Sequence, residues 1–100
     1  MESILEIDKQ GNKWWRNSKY ISHREDDLPA IEHVDGYTAW YINGKLHRET
    51  GPAQIWNNHG SDGSDYIQWF LNGINYTPPK EMPLSLYLAY LKWELMKNGK

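Results

Sequence analysis

The chain has no cysteine, so neither a disulfide framework nor a thiolate zinc site is available to it. Neither sign of charge dominates. Eleven Lys and Arg face 13 Asp and Glu, a formal charge of −2 at pH 7, and this leaves no overall electrostatic footprint for a nucleic-acid backbone, which demands clustered cations. No apolar run approaches the roughly 18 residues a membrane-crossing helix needs. The opening Met1-Glu2-Ser3-Ile4-Leu5-Glu6-Ile7-Asp8 carries acids where a secretion signal has bases. A reducing cytoplasm, with no membrane partner, is the expectation. His-Glu-x-x-His pairs, Gly-x-Ser-x-Gly elbows and phosphate-cradling glycine loops are missing too. With no nucleophile–base pair in view, the expectation is a protein that is not an enzyme and has no catalytic residues, cofactor or metal.

What is present is ring-rich. Six Trp and seven Tyr accompany one Phe, and rings with a polar edge can pack a thin core, face water and anchor interfaces. One hundred residues with 39% hydrophobic content suffice for one modest core. Residues 1–100 are expected to form a single domain.

The punctuation repeats. Asn17-Ser18, Asn43-Gly44 and Asn72-Gly73 each interrupt a run rich in aromatic or β-branched residues. Asn-Gly is the strongest short hairpin signal, because a type I′ turn needs positive φ at both central residues. Asp35-Gly36 is read as a fourth such turn and Thr50-Gly51-Pro52 as a fifth break. Strand character falls near residues 3–8, 13–16, 19–24, 30–34, 37–42, 45–48, 52–57, 65–71 and 74–76. Links this short make neighbours antiparallel, hence a mainly β meander.

Letters recur as well. Trp40-Tyr41-Ile42-Asn43-Gly44 returns as Trp69-Phe70-Leu71-Asn72-Gly73, and His23-Arg24-Glu25 before Pro29-Ala30 is echoed by His47-Arg48-Glu49 before Pro52-Ala53. Such self-similarity marks stacked units, none able to bury its apolar face alone. The polar stretch Asn57 to Asp65 reads as an expanded hairpin tip in the place that Asp35-Gly36 holds one unit earlier.

The run Trp40-Tyr41-Ile42-Asn43-Gly44-Lys45-Leu46-His47-Arg48-Glu49-Thr50-Gly51-Pro52-Ala53 resembles the MORN-like repeat variant of bacteriophage, giant-virus and bacterial proteins. Its pattern is roughly Trp-x-x-Asn-Gly-Lys-x-His-Arg-x-x-Gly-Pro-Ala. The resemblance covers about residues 13–77. The first unit departs at Asn17-Ser18, has extra residues before His23 and carries Asp27-Leu28 before Pro29, while the third lacks the His-Arg element. It implies an antiparallel β-meander of MORN-like hairpin repeats in which Trp40, Asn43, Gly44, His47, Arg48, Gly51, Pro52, Trp69, Asn72 and Gly73 are structural positions. It also implies a scaffold role; some related bacterial proteins are labelled antitoxins.

The period then changes. From Leu84 to Lys97 there is no Gly or Pro, and Leu84, Leu88, Leu91 and Leu95 fall in one stripe at helical spacing. Pro83 suits a first turn and Asn98-Gly99 a stop. A C-terminal helix over about residues 83–97 is expected to cap the sheet through those leucines. Leu86, Tyr90 and Trp93 form a second apolar stripe, so either the helix is buried on both sides or this stripe meets another chain. A homodimer through the C-terminal helix is the simplest form of the second reading.

Each candidate functional residue also has a structural reading. The His-Arg-Glu elements could bind metal or phosphate, but an element that follows the repeat reads first as a tie for the turn after its strand. His33 and His59 read as solvated histidines, and Glu25-Asp26-Asp27 and Asp62 to Asp65 as solvated loops. Alternation puts Thr38, Trp40, Ile42, Ile67, Trp69 and Leu71 on one face of the sheet, with Tyr37, Ala39, Tyr41, Tyr66, Gln68 and Phe70 on the other. Either both faces are covered, or Tyr37, Tyr41, Tyr66 and Phe70 dock a partner. The leading expectation is a protein-binding module, a small phage-related or bacterial accessory protein that inhibits a host toxin or defence effector by stoichiometric binding. The second is single-stranded nucleic-acid binding, with Trp14, Trp15, Tyr20 and Tyr37 stacking bases and Lys13, Arg16, Lys19 and Arg24 on phosphates. The third is a structural or virion-associated protein.

Overall fold

Two pairs of left-handed residues set the architecture. Asn43 and Asn72 sit at φ +50° and +49°, and Gly44 and Gly73 at +83° and +82°, the backbone of the two-residue type I′ hairpins that Asn-Gly predicts. The structure, a computed structural model, describes residues 3–57, 65–76 and 82–98. Its strands are β1 (Ile4–Ile7), β2 (Lys13–Arg16), β3 (Ile31–Glu32), β4 (Tyr37–Ala39), β5 (Tyr41–Ile42), β6 (Lys45–Leu46), β7 (Gln54–Trp56), β8 (Tyr66–Leu71) and β9 (Ile74–Tyr76), followed by the helix α1 (Leu84–Asn98). The strands pair antiparallel. Seven make a sheet in the order β1-β2-β3-β4-β7-β8-β9, and β5-β6 is a separate ribbon. The chain is thus mainly antiparallel β with one C-terminal helix.

The expected strand at 37–42 is two strands broken at Trp40. The Trp40 N–H donates to the Ala53 carbonyl at 2.8 Å, and its carbonyl accepts from the His47 N–H at 3.0 Å. On either side, Ala39 pairs with Gln54 and Tyr41 with Leu46. At this residue the chain leaves the main sheet to form the β5-β6 hairpin, which the alternating pattern alone does not show.

The expected strand at 19–24 does not form; its one pairing is an isolated bridge between Arg16 and Ser22. The Asn17 side chain accepts the N–H groups of Lys19 and Ile21 at 2.9 and 3.1 Å, and Tyr20 sits at φ +64°. A side chain that takes up backbone donors locally competes with the ladder. Asn17-Ser18 therefore opens a longer loop instead of a two-residue turn. At Asp35-Gly36 only Gly36 is left-handed, at φ +98°, and its N–H donates to the His33 carbonyl while the His33 N–H donates to that of Tyr37. That is a three-residue hairpin loop with glycine in the left-handed place.

The core is thin. Ala30, Ala39 and Ala53 are fully buried, with Trp40, Trp69 and Leu86, and the polar Asn17 and His23 join them. Three of these buried positions are alanines, and such small side chains keep the core shallow.

The helix forms where expected, but with its faces reversed. Leu84, Leu88, Leu91 and Leu95 are 72%, 56%, 41% and 73% exposed, whereas Leu86 is completely buried. Tyr90 and Trp93 meet Trp69 edge-on, with ring centroids 5.8 and 6.4 Å apart. Both stripes are apolar, so periodicity could not choose between them. The choice falls to the stripe whose rings make edge-to-face contact with Trp69, a geometry aromatic pairs prefer. Leu86, Tyr90 and Trp93 therefore belong to the chain's own packing and are not a free partner surface.

Gly44 and Gly73 share one backbone conformation but not one surrounding. A Cβ on Gly44 would lie 2.7 Å from Ile21 Cγ2, while on Gly73 the nearest atom is 3.8 Å away. Gly73→Ala should therefore lose only the left-handed penalty, about 1–2 kcal/mol. Gly44→Ala should lose about 1 kcal/mol or more beyond that, and Ile21→Ala in its background should narrow the gap. Urea denaturation of the four chains measures the difference.

Candidate functional site

The units are tied by their His-Arg elements, bond for bond. The Asn43 N–H donates to His23 Nδ1 at 2.9 Å, and the Asn72 N–H to His47 Nδ1 at 3.0 Å. The Gly44 N–H donates to the Ser22 carbonyl and the Gly73 N–H to that of Leu46, each at 2.8 Å. Arg24 and Arg48 donate backbone N–H groups to the Tyr41 and Phe70 carbonyls, and each Nη1 reaches a proline carbonyl, Pro29 or Pro52, at 3.1 Å. Their guanidinium carbons lie 3.7 Å from the ring centre of Trp15 and 3.8 Å from that of Trp40, within cation–π range. Trp40 and Trp69 thus occupy equivalent places, as do Tyr41 and Phe70.

An Nδ1 that accepts leaves the ring proton on Nε2, and there Glu25 stands 3.3 Å from His23 and Glu49 3.6 Å from His47. Gly51 follows the same logic of close approach, since a Cβ there would sit 2.9 Å from Arg48 Nη1. Asp27, expected to be a solvated acid, closes the joint. Asp27 accepts from Arg48 Nε at 3.0 Å and Thr50 Oγ1 at 2.6 Å, and its carbonyl accepts from Trp40 Nε1 at 3.1 Å. An open cleft of about 350 Å³ runs along this seam, lined by Arg24, Trp40, Ile42, Arg48, Glu49 and Thr50 among others. Both arginines in it are committed to the stack, so the cleft is a joint between units.

The other face of the sheet carries the candidate site. Trp14, His33, Tyr37, Trp56 and Tyr66 form one row across successive strands, with centroids 5.4, 5.7, 4.9 and 5.2 Å apart. The register explains the row. Trp14 faces Ile31, Tyr37 faces Trp56 and Trp56 faces Tyr66, so these rings share one side of the pleat, and at strand spacing the row is about 20 Å long. The planes meet at 79°, 82°, 35° and 51°, which makes an interlocked strip of edges and tilted faces. Tyr66 is 48% exposed and the other four are half-buried. Among the described residues, the one helix docks on Trp69, which lies on the opposite side of β8.

Polar groups border the row. Gln54 Nε2 donates to the Tyr37 hydroxyl at 2.9 Å and Gln68 Nε2 to that of Tyr66 at 2.7 Å, so each phenol keeps its own proton to offer. Burial pushes the Tyr37 pKa above the usual phenol value, and the bond from Gln54 only partly opposes it. Tyr37 therefore presents a neutral phenol to the row.

Of the expected docking residues, Tyr37 and Tyr66 stand in this row. Tyr41 and Phe70 lie outside it, at equivalent places in successive hairpins. Trp56 and His33 are not among the expected docking residues, although alternation along β7 puts Trp56 on this face. His33, expected to be solvated, is wedged between two rings. The nucleic-acid set is divided. Adjacent Trp14 and Trp15 point to opposite faces, Arg24 covers Trp15, and Arg16 is paired with Glu6 at 2.8 Å. His59 and Asp62 lie outside the described residues. Among the described residues, no three His, Asp or Glu side chains could together hold a metal ion, and no helix is long and apolar enough to cross a membrane.

His23 is 1% exposed, and its replacement by Ala should strand the Asn43 N–H and open a void, lowering stability by about 2–4 kcal/mol. His47 has 20% of its side chain exposed, so water can reach Asn72 and His47→Ala should cost about 1–2 kcal/mol. Chemical denaturation midpoints at matched pH test the order.

Compared with known protein families, with curated proteins and with solved structures, the chain finds no match.

Proposed function

We propose that this chain is a MORN-like repeat protein that acts as a non-enzymatic protein-binding module, with the row from Trp14 to Tyr66 as its docking strip. The observation that carries the reading is the row itself, five rings on the sheet face away from the helix. The Gln54 and Gln68 amides border it, each donating to a ring hydroxyl. Protein interfaces concentrate their binding energy in half-buried Trp and Tyr of this kind. The equivalent hydrogen bonds at His23 and His47 support the repeat assignment.

The rings stand edge-on and tilted to each other, so they offer little parallel face for stacking bases, and the nearby Arg16 is already held by Glu6. Apolar side chains of a protein partner fit the gaps between such rings, with its carbonyls accepting from the phenols. A small accessory protein of phage or bacterial origin would use the strip to occlude a host toxin or defence effector, one to one, in the host cytoplasm.

Capture of a stoichiometric protein partner from host extract is the test. Tyr66→Ala should weaken that complex by about tenfold or more with an unchanged circular dichroism spectrum, and Trp56→Ala should weaken it further. Retention of the partner by both folded variants, or recovery of RNA in its place, defeats the proposal.

A further inference from the structure

The outward leucines of α1 make a second surface, on the far side of the molecule's own contacts. Leu84, Leu88, Leu91 and Leu95 follow one another at intervals of four, three and four residues, and all stand 41–73% exposed. That spacing is the apolar seam of a coiled coil, with leucine at every seam position. Leu86 and Trp93, at the place in the heptad farthest from the seam, face the sheet. The seam therefore points directly away from the body of the domain. With the flanking Tyr87 and Met96, 36% and 69% exposed, the surface offers roughly 500 Å² per chain, near the upper end for a patch on a monomer.

We infer that this surface is filled by the same surface of a second copy, with the two helices antiparallel. Two such surfaces together bury roughly 1,000 Å², the lower bound of a specific interface, along helices of 15 residues. A two-fold axis between Leu88 and Leu91 sets Leu84 against Leu95 of the second copy and Leu88 against its Leu91, so the seam complements itself. The flanks are compatible. In this alignment Glu94 meets Tyr87 and Lys92 meets Ser85, so no like charges face each other. The two helix dipoles run head to tail, whereas a parallel pair would align them unfavourably. The aromatic row lies on the other side of the sheet from α1 and stays free in the dimer.

Sedimentation of the full chain at about 100 µM, a concentration suited to an interface of this size, should give twice the chain mass of 11.8 kDa. Leu88→Glu with Leu91→Glu places four carboxylates in one seam and should weaken association by about a hundredfold or more. The spectrum should not change, because these positions are outside the core. Tyr66→Ala should remain dimeric, which separates this inference from the docking strip. Since the chain has no cysteine, Leu84→Cys and Leu95→Cys report the orientation, and mixed chains should oxidise to the 84–95 disulfide. A wild-type monomer overturns the inference and leaves the stripe to another protein or a lipid surface. A dimer indifferent to the two glutamates, or disulfides joining 84 to 84 and 95 to 95, overturns it as well.

Discussion

A turn asparagine donating its backbone N–H to the ring of a histidine one unit earlier is the contact on which the rest of this structure depends. A two-residue hairpin turns its Asn N–H away from its own ladder, and a buried donor without an acceptor costs free energy. His23 supplies that acceptor for Asn43, and His47 for Asn72. The residue after each histidine then lays a guanidinium over the tryptophan of its own unit and bonds a proline carbonyl. Each hairpin is thus completed by its predecessor. An array built this way gains stability by nearest-neighbour contact, and no unit stands alone.

The array ends where that chemistry changes. Trp15 and Trp40 are covered by Arg24 and Arg48, while the third unit, lacking the His-Arg pair, has Trp69 covered by Tyr90 and Trp93. Rings of α1 take the place of a guanidinium on the last tryptophan. This substitution orients the helix and sends its leucines outward. One face of the sheet is consumed by the stack and its cap, and the opposite face keeps its aromatic row. The two surfaces left to do work are therefore distinct in chemistry, one of rings with polar edges and one of leucine, and they lie on opposite sides of the sheet.

Asp27 shows how a departure from the repeat can still serve it. It stands two residues before Pro29, as Thr50 stands before Pro52, and lies in the left-handed region at φ +56°. From there it holds Arg48, Thr50 and the Trp40 indole of the next unit. The strain of that backbone is offset by three bonds that a glycine could not all make.

Much of the fold was legible because it is local. Asn43-Gly44 and Asn72-Gly73 state their own turn type, since positive φ at two successive residues is a property of the dipeptide. The helix limits follow likewise from proline and an unbroken run of helix formers. The repeat spacing by itself pairs Trp40 with Trp69. Other features depend on what a residue meets after the chain closes. Asn17 resembles the other turn asparagines, yet its side chain captures two backbone donors and makes a different loop. Trp56 and His33 meet their ring neighbours through strand register, which brings Trp14 to His33 and Tyr37 to Trp56, each pair 19 positions apart. The helix faces illustrate the division most sharply. Sequence by itself determined that α1 has two apolar stripes, because side-chain spacing is intrinsic to the helix. Only the tertiary structure decided which stripe is buried, because that choice is made by the fit of rings against Trp69, a contact no spacing rule contains.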